Sequence, residues 1–128
     1  MSTTSYSCMC GSFSATLTGD PALACWCHCL MCRKQTGAAM QLGVWTPASF
    51  AVSQGDDGLI KYGSSGGVFR NSCGTCGSFC YKVLPDGNIV APLGALEPPV
   101  EPTCHIFVKD KGEQKVMFAD LPQHAAFP

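Results

Sequence analysis

Apolar and hydroxylated side chains alternate along "SFSATLT", so that Phe13, Ala15 and Leu17 share one face of an extended segment while serines and threonines take the other. A period of two suits a half-buried strand, and the turn "GDP" ends it. Similar short segments recur at 40–45, 50–53, 59–62, 68–71, 79–84, 89–91 and 105–108, separated by turn-forming residues. "LPDGNIV" joins two of them through Pro-Asp-Gly-Asn, a hairpin signal. The 14 glycines and 9 prolines interrupt the chain every few residues and leave no room for a long helix. Two short helical turns are expected, one through 29–35 closed by Gly37 and one in "TPASF" with Thr46 as cap and Pro47 in the first position. "EPPVEPT" reads as a rigid connector within the domain.

The pattern predicts a mainly β fold with few helical turns, and 128 residues suit a single domain over 1–128. Formal charge is −1, and the 8 lysines and arginines form no long run, so neither a nucleic acid nor an anionic membrane is an expected partner. No apolar stretch approaches the roughly 18 to 20 residues that span a bilayer, and "MSTTSYSC" lacks the basic and apolar regions of a secretion signal. A soluble, cytoplasmic protein is the expectation.

The 10 cysteines change this picture. In reducing cytosol, thiols bind metal or do chemistry rather than pair, and close C-x-C and C-x-x-C spacings aim two sulfurs at one ion. Cys8 and Cys10 supply one half of a tetrahedral site; Cys73 and Cys76, in "CGTCG", supply the other. Together they predict a closed structural site that clips a long loop. Gly11, Gly74 and Gly77 are placed to provide positive φ and room for amides that donate to the sulfurs.

Cys27, Cys29 and Cys32 form a second group, "CHCLMC", with three sulfurs and an open fourth position. Catalytic zinc keeps such a position, and three thiolates favour holding an exogenous thiol as thiolate over hydrolysis. Cys25 or His28 as fourth ligand would instead make the site structural. Cys25, Cys80 and Cys104 are expected to be small buried packing residues. Two readings stand for Arg33 and Lys34, a solvated turn or a clamp on substrate carboxylates. His105 has two as well, a satisfied core histidine or a proton carrier lining the pocket. Trp26 and Trp45 read as core, with Trp26 also placed to wall a pocket.

The order C-x-C-G, "CHCLMCRKQTG", "FRNSCGTCGSFCY", "HIFVKDK" and "DLP" resembles the glutathione-dependent formaldehyde-activating enzyme family, also called the centromere protein V/Gfa domain, over a core of about 8–122. The resemblance implies an Mss4-like fold of small antiparallel sheets held by zinc. It implies two zinc ions per chain, one structural at Cys8, Cys10, Cys73 and Cys76 and one at the active site at Cys27, Cys29 and Cys32. It also implies a carbon–sulfur lyase that joins glutathione and formaldehyde as S-(hydroxymethyl)glutathione, hence a small-molecule thiol and an aldehyde as partners. Met117 and Phe118 stand where members often carry Trp, which bears on the choice of thiol.

The mechanism expected on this basis has the thiol bound at Cys27, Cys29 and Cys32, carboxylates held by Arg33 and Lys34, and a proton delivered by His28 or His105. A larger carbonyl compound or another thiol, in a pocket walled by Trp26, Trp45 and Phe69, is the second enzyme reading. A zinc-stabilised interaction module is the third.

Overall fold

A computed structural model of the chain describes residues 1–111 and 124–125. The "DLP" motif at 120–122, Met117 and Phe118 lie outside the described residues. The expected alternating segments are strands: β2 (Ser14–Thr18), β4 (Met40–Trp45), β5 (Phe50–Gln54), β6 (Leu59–Ser65), β7 (Val68–Cys73), β8 (Phe79–Val83) and β9 (Ile89–Pro92). Sequence reading overlooked β1 (Thr3–Ser7) and β3 (Leu23–Cys27). The strand expected at 105–108 is instead β10 (Cys104–Ile106), because Phe107 turns into the left-handed region at φ 54° and starts a 3-10 turn at Val108–Asp110.

Among the described residues the one α-helix, α1 (Leu30–Thr36), begins where the Cys29 thiol accepts the Cys32 amide and ends at Gly37, whose φ of 80° suits glycine. Thr46 precedes the 3-10 turn Pro47–Ser49 as expected, but its hydroxyl makes no capping bond to the backbone, so fixed proline geometry starts that turn.

A three-stranded sheet runs β1-β2-β5 and a seven-stranded one β10-β3-β4-β9-β8-β7-β6. All pairs are antiparallel except β10 with β3, which sets Ile106 beside Cys27. The main core lies between the sheets. Phe13, Ala15 and Leu17 are fully buried there with Leu93 and Leu96, and the Phe13 ring stacks on Tyr81 with centroids 6.0 Å apart. A second apolar cluster gathers Cys25, Cys27, Cys32, Met40, Leu42 and Val90 beneath α1. Half of this smaller core is thiol, so its packing and its chemistry are the same residues.

Polar contacts brace the sheets. The Tyr6 hydroxyl donates to the Cys80 carbonyl at 2.6 Å, and the Tyr81 hydroxyl donates to Asp56 Oδ1 at 2.7 Å. The Tyr81 bond, then Lys61, holds the Asp56 carboxyl below its ordinary value. A lowered carboxyl stabilises the fold above the ordinary carboxylate range and loses that contribution as pH falls through the lowered value. Asp56→Asn should therefore cost about 0.5–1 kcal/mol at neutral pH after solvent screening. Urea unfolding of both proteins should show the gap closing as the pH is lowered.

Candidate functional site

Each cysteine group becomes one cluster. Cys8, Cys10, Cys73 and Cys76 form the first and Cys27, Cys29 and Cys32 the second, with sulfurs in each within 4.8 Å of one another. In the first, Cys8 Sγ lies 3.6 Å from Cys10 Sγ, and Cys10 Sγ lies 3.7 Å from Cys73 Sγ. A tetrahedral ion with metal–sulfur bonds of about 2.3 Å needs edges of about 3.8 Å, so the sulfurs are spaced for one.

Backbone and hydroxyl donors surround that cluster. The Phe13 amide reaches Cys8 Sγ at 3.3 Å, the Thr75 amide reaches Cys73 Sγ at 3.4 Å, and the Cys76 amide reaches Cys73 Sγ at 3.5 Å. Ser78 Oγ lies 3.2 Å from Cys76 Sγ and, as first cause, lowers that thiol to about 5. Sequence reading missed the serines, including Ser12, whose hydroxyl sits 3.1 Å from Cys10 Sγ and 3.4 Å from Cys73 Sγ. Gly11 and Gly77 take positive φ as expected. Gly74 does not: its amide bonds the Gly58 carbonyl at 3.0 Å, and a Cβ there would lie 2.8 Å from that oxygen. Close approach of two backbones is the reason for this glycine.

The second cluster lies where β3 turns into α1. Cys27 ends the strand, Cys29 caps the helix, and Cys32 faces inward one turn later with no exposed surface. A hydrogen bond from Cys27 lowers the Cys32 thiol and outweighs its burial; Lys82, Cys29 and Arg70 lower it further. Two buried cations from another part of the chain complete the surroundings. Lys82 Nζ lies 3.5 Å from Cys32 Sγ, and both terminal nitrogens of Arg70 lie 3.8 Å from it. Neither was singled out in the sequence.

A cavity of about 430 Å³ opens beside this cluster. Cys27 and Cys29 line it with Arg70, Lys82 and Ser65, and its remaining walls are apolar, among them Leu42, Val44, Leu84 and Phe107. Several expected site residues stand elsewhere. Arg33 is tied to backbone, donating from Nε to the His28 carbonyl at 3.2 Å and from Nη2 to the Asp110 carbonyl at 2.6 Å. Lys34 lines a separate groove with Gln35, Tyr62 and Ser64, which shares Met31 and Arg70 with the cavity. Trp26, Trp45 and Phe69 do not line the cavity: Trp26 stacks on His105, Trp45 is in the main core, and Phe69 is exposed.

His28 Nε2 and His105 Nδ1 lie 2.9 Å apart, with ring centroids separated by 5.1 Å. Neither lines the cavity. Burial, then the neighbouring His105, lowers His28, while His105 itself is exposed and so is not a core histidine. Burial raises Cys25 to about 11 and Cys80 to about 12, in keeping with packing roles. Cys104 is a correction to that expectation: it is exposed, because β10 is an edge strand. His124 is also exposed. Among the described residues no helix is long and apolar enough to cross a membrane.

Residues 3–110 match the sequence profile of a family described as glutathione-dependent formaldehyde-activating enzyme. No curated protein matches the chain. A crystal structure of a Rhodobacter sphaeroides protein shares the fold with a TM-score of 0.65 at 20 % identity, covering 79 % of this chain and 98 % of the other.

Proposed function

The chain belongs to the glutathione-dependent formaldehyde-activating enzyme family, and on that premise we propose that it is a zinc-dependent enzyme of the carbon–sulfur lyase type, joining a small thiol to an aldehyde or separating them. The single observation that carries this reading is the three-sulfur cluster at the wall of a cavity, beside two buried cations. Cys8, Cys10, Cys73 and Cys76 would hold a structural zinc; Cys27, Cys29 and Cys32 would hold a second, with a coordination position left for substrate.

The second zinc, when bound, supplies a Lewis acid that keeps a substrate sulfur ionised at neutral pH. Arg70 and Lys82 offset the negative charge that gathers there, which apolar surroundings make expensive. Leu42, Val44 and Leu84 line the cavity with apolar surface, against which thiol and aldehyde can be held side by side. The sulfur lone pair forms the C–S bond as the C=O π pair moves to oxygen. That oxygen takes a proton, which we assign to the Lys82 ammonium; water then restores it. His28 and His105 hold the turn after β3 against β10, where the His28 amide also bonds the Ile106 carbonyl at 3.0 Å.

Cys29→Ser tests the assignment. The variant should keep its fold and its first ion, contain one zinc fewer, and lose thiol-dependent aldehyde consumption by about a hundredfold or more. Zinc content, circular dichroism and aldehyde assay are read on the same sample. Full activity with one zinc fewer would remove the second cluster from the mechanism.

A further inference from the structure

Arg70 and Lys82 are direct cross-strand partners on β7 and β8, with only 8 % and 5 % of their surfaces exposed. Like charges in that position repel, and burial multiplies the effect. Their polar contacts are Cys32 Sγ, with Gln35 Oε1 at 2.7 Å and Ser64 Oγ at 3.0 Å from Arg70. Among the described residues the one carboxylate ion pair, Lys61 with Asp56, involves neither. Among the described residues their counter-charge is the sulfur cluster.

The sign of the balance is informative. Three thiolates around a divalent ion sum to about −1, and two cations turn the site to about +1. A neutral fourth ligand leaves that excess in place, whereas one further thiolate cancels it. Without Arg70 and Lys82 the same thiolate would raise the burden to about −2 beside apolar walls. The pair is therefore matched to an anionic sulfur arriving from outside.

The cavity walls restrict what that sulfur carries. Among the described lining residues Leu42, Val44, Leu84, Ile106 and Phe107 present no partner for a carboxylate or an ammonium, and Ser65 offers a single hydroxyl. Among the described residues both cations that line the cavity already face Cys32. A peptide thiol with several charged ends would gain nothing for them from these walls, while a compact apolar thiol covers the same walls with gain.

We propose that the cavity takes a compact thiol with an alkyl or aryl body, bound as thiolate with Arg70 and Lys82 as its counter-charge. This rests on the thiol-and-aldehyde reading given above and names its substrate class. Binding moves the thiol proton to buffer, and addition to the aldehyde then follows with the bond changes already described.

The test is calorimetric titration of the full-length, zinc-loaded protein with 2-phenylethanethiol, glutathione and 2-phenylethanol, with zinc content measured before and after. The aryl thiol should bind at least about tenfold more tightly than glutathione or the alcohol, and release a proton seen as a buffer-dependent heat. Lys82→Met and Arg70→Met should each weaken thiol binding at least about tenfold with alcohol binding and zinc content unchanged, and Lys82→Arg should recover most of the loss. Glutathione binding as tightly as the aryl thiol overturns the substrate class and leaves the enzyme reading standing. No thiol binding with both ions present overturns both. The comparison of thiol with alcohol needs no variant, so it decides the counter-charge even where a methionine variant fails to fold: equal affinities overturn it.

Discussion

Cys73→Ser should leave a chain that does not hold its native structure at ordinary temperature. Cys73 closes β7, and its sulfur meets Cys10 Sγ, the Ser12 hydroxyl and the amides of Thr75 and Cys76. It joins the segment after β1 to the turn before β8, so the proposed structural zinc rivets the small sheet to the large one. Structural zinc contributes about 10–16 kcal/mol in small metal-dependent domains, against a net stability of about 5–15 kcal/mol for a typical domain. Losing most of the first leaves little or none of the second. Far-UV circular dichroism and gel filtration should report an unfolded or aggregated chain. A cooperative, native-like melt with one zinc fewer would show that the two cores hold without the rivet. The contrast with Cys29→Ser, expected to stay folded, separates a closed site from an open one.

Gly55→Ala should be the next most damaging, although it removes nothing. Gly55 follows β5 with φ at 84°, and a Cβ there would lie 2.0 Å from the Ser12 carbonyl oxygen and 2.9 Å from Phe13 Cα. Left-handed backbone costs an L-residue about 1–2 kcal/mol, and a clash with backbone that cannot rotate away adds about 1–3 kcal/mol. The sum, about 2–5 kcal/mol, should lower the melting temperature by about 10–20 °C. The displaced segment includes Ser12, whose hydroxyl touches three sulfurs of the first cluster, so the variant should also lose metal to a chelator faster. A melting temperature within about 2 °C of wild type would refute the clash.

Period-two alternation was enough to find most strands because each presents one face to the core, as Phe13, Ala15 and Leu17 do. β1 escaped because "TTSYS" buries only Tyr6. β3 escaped for the opposite reason: Ala24 packs in the main core while Cys25 and Cys27 pack beneath α1, so apolar residues run together without a period. The cysteine groups were legible since ligand spacing is a local property, and each set of sulfurs does converge.

The charged residues around the second cluster were not legible. Arg33 and Lys34 follow Cys32 directly, but successive helical positions differ by about 100°, so residues beside an inward-facing cysteine are carried off its face. Arg70 and Lys82 reach the same sulfur from two strands far along the chain, brought together by hairpin register that no periodicity reveals. Phe69 is exposed beside the buried Arg70, an inversion of the usual preference that alternation analysis assigns the wrong way round. His105 was misjudged through its neighbours Ile106 and Phe107; β10 pairs in parallel with β3, placing His105 next to Trp26 while Ile106 adjoins Cys27 and lines the cavity.

The two clusters also differ in the length of chain each must close, and this orders events during synthesis. Cys27, Cys29 and Cys32 leave the ribosome almost together and could gather around an ion before β4 to β10 are made. The first cluster waits for Cys73 to be made and to find Cys10. β10 waits longer still, since Cys104 must return to Cys25. Closing a long loop costs more entropy than closing a short one, and distant pairings form slowly. The centre on which the proposed chemistry depends would thus be the earliest to load, and the proposed rivet between the sheets a later addition.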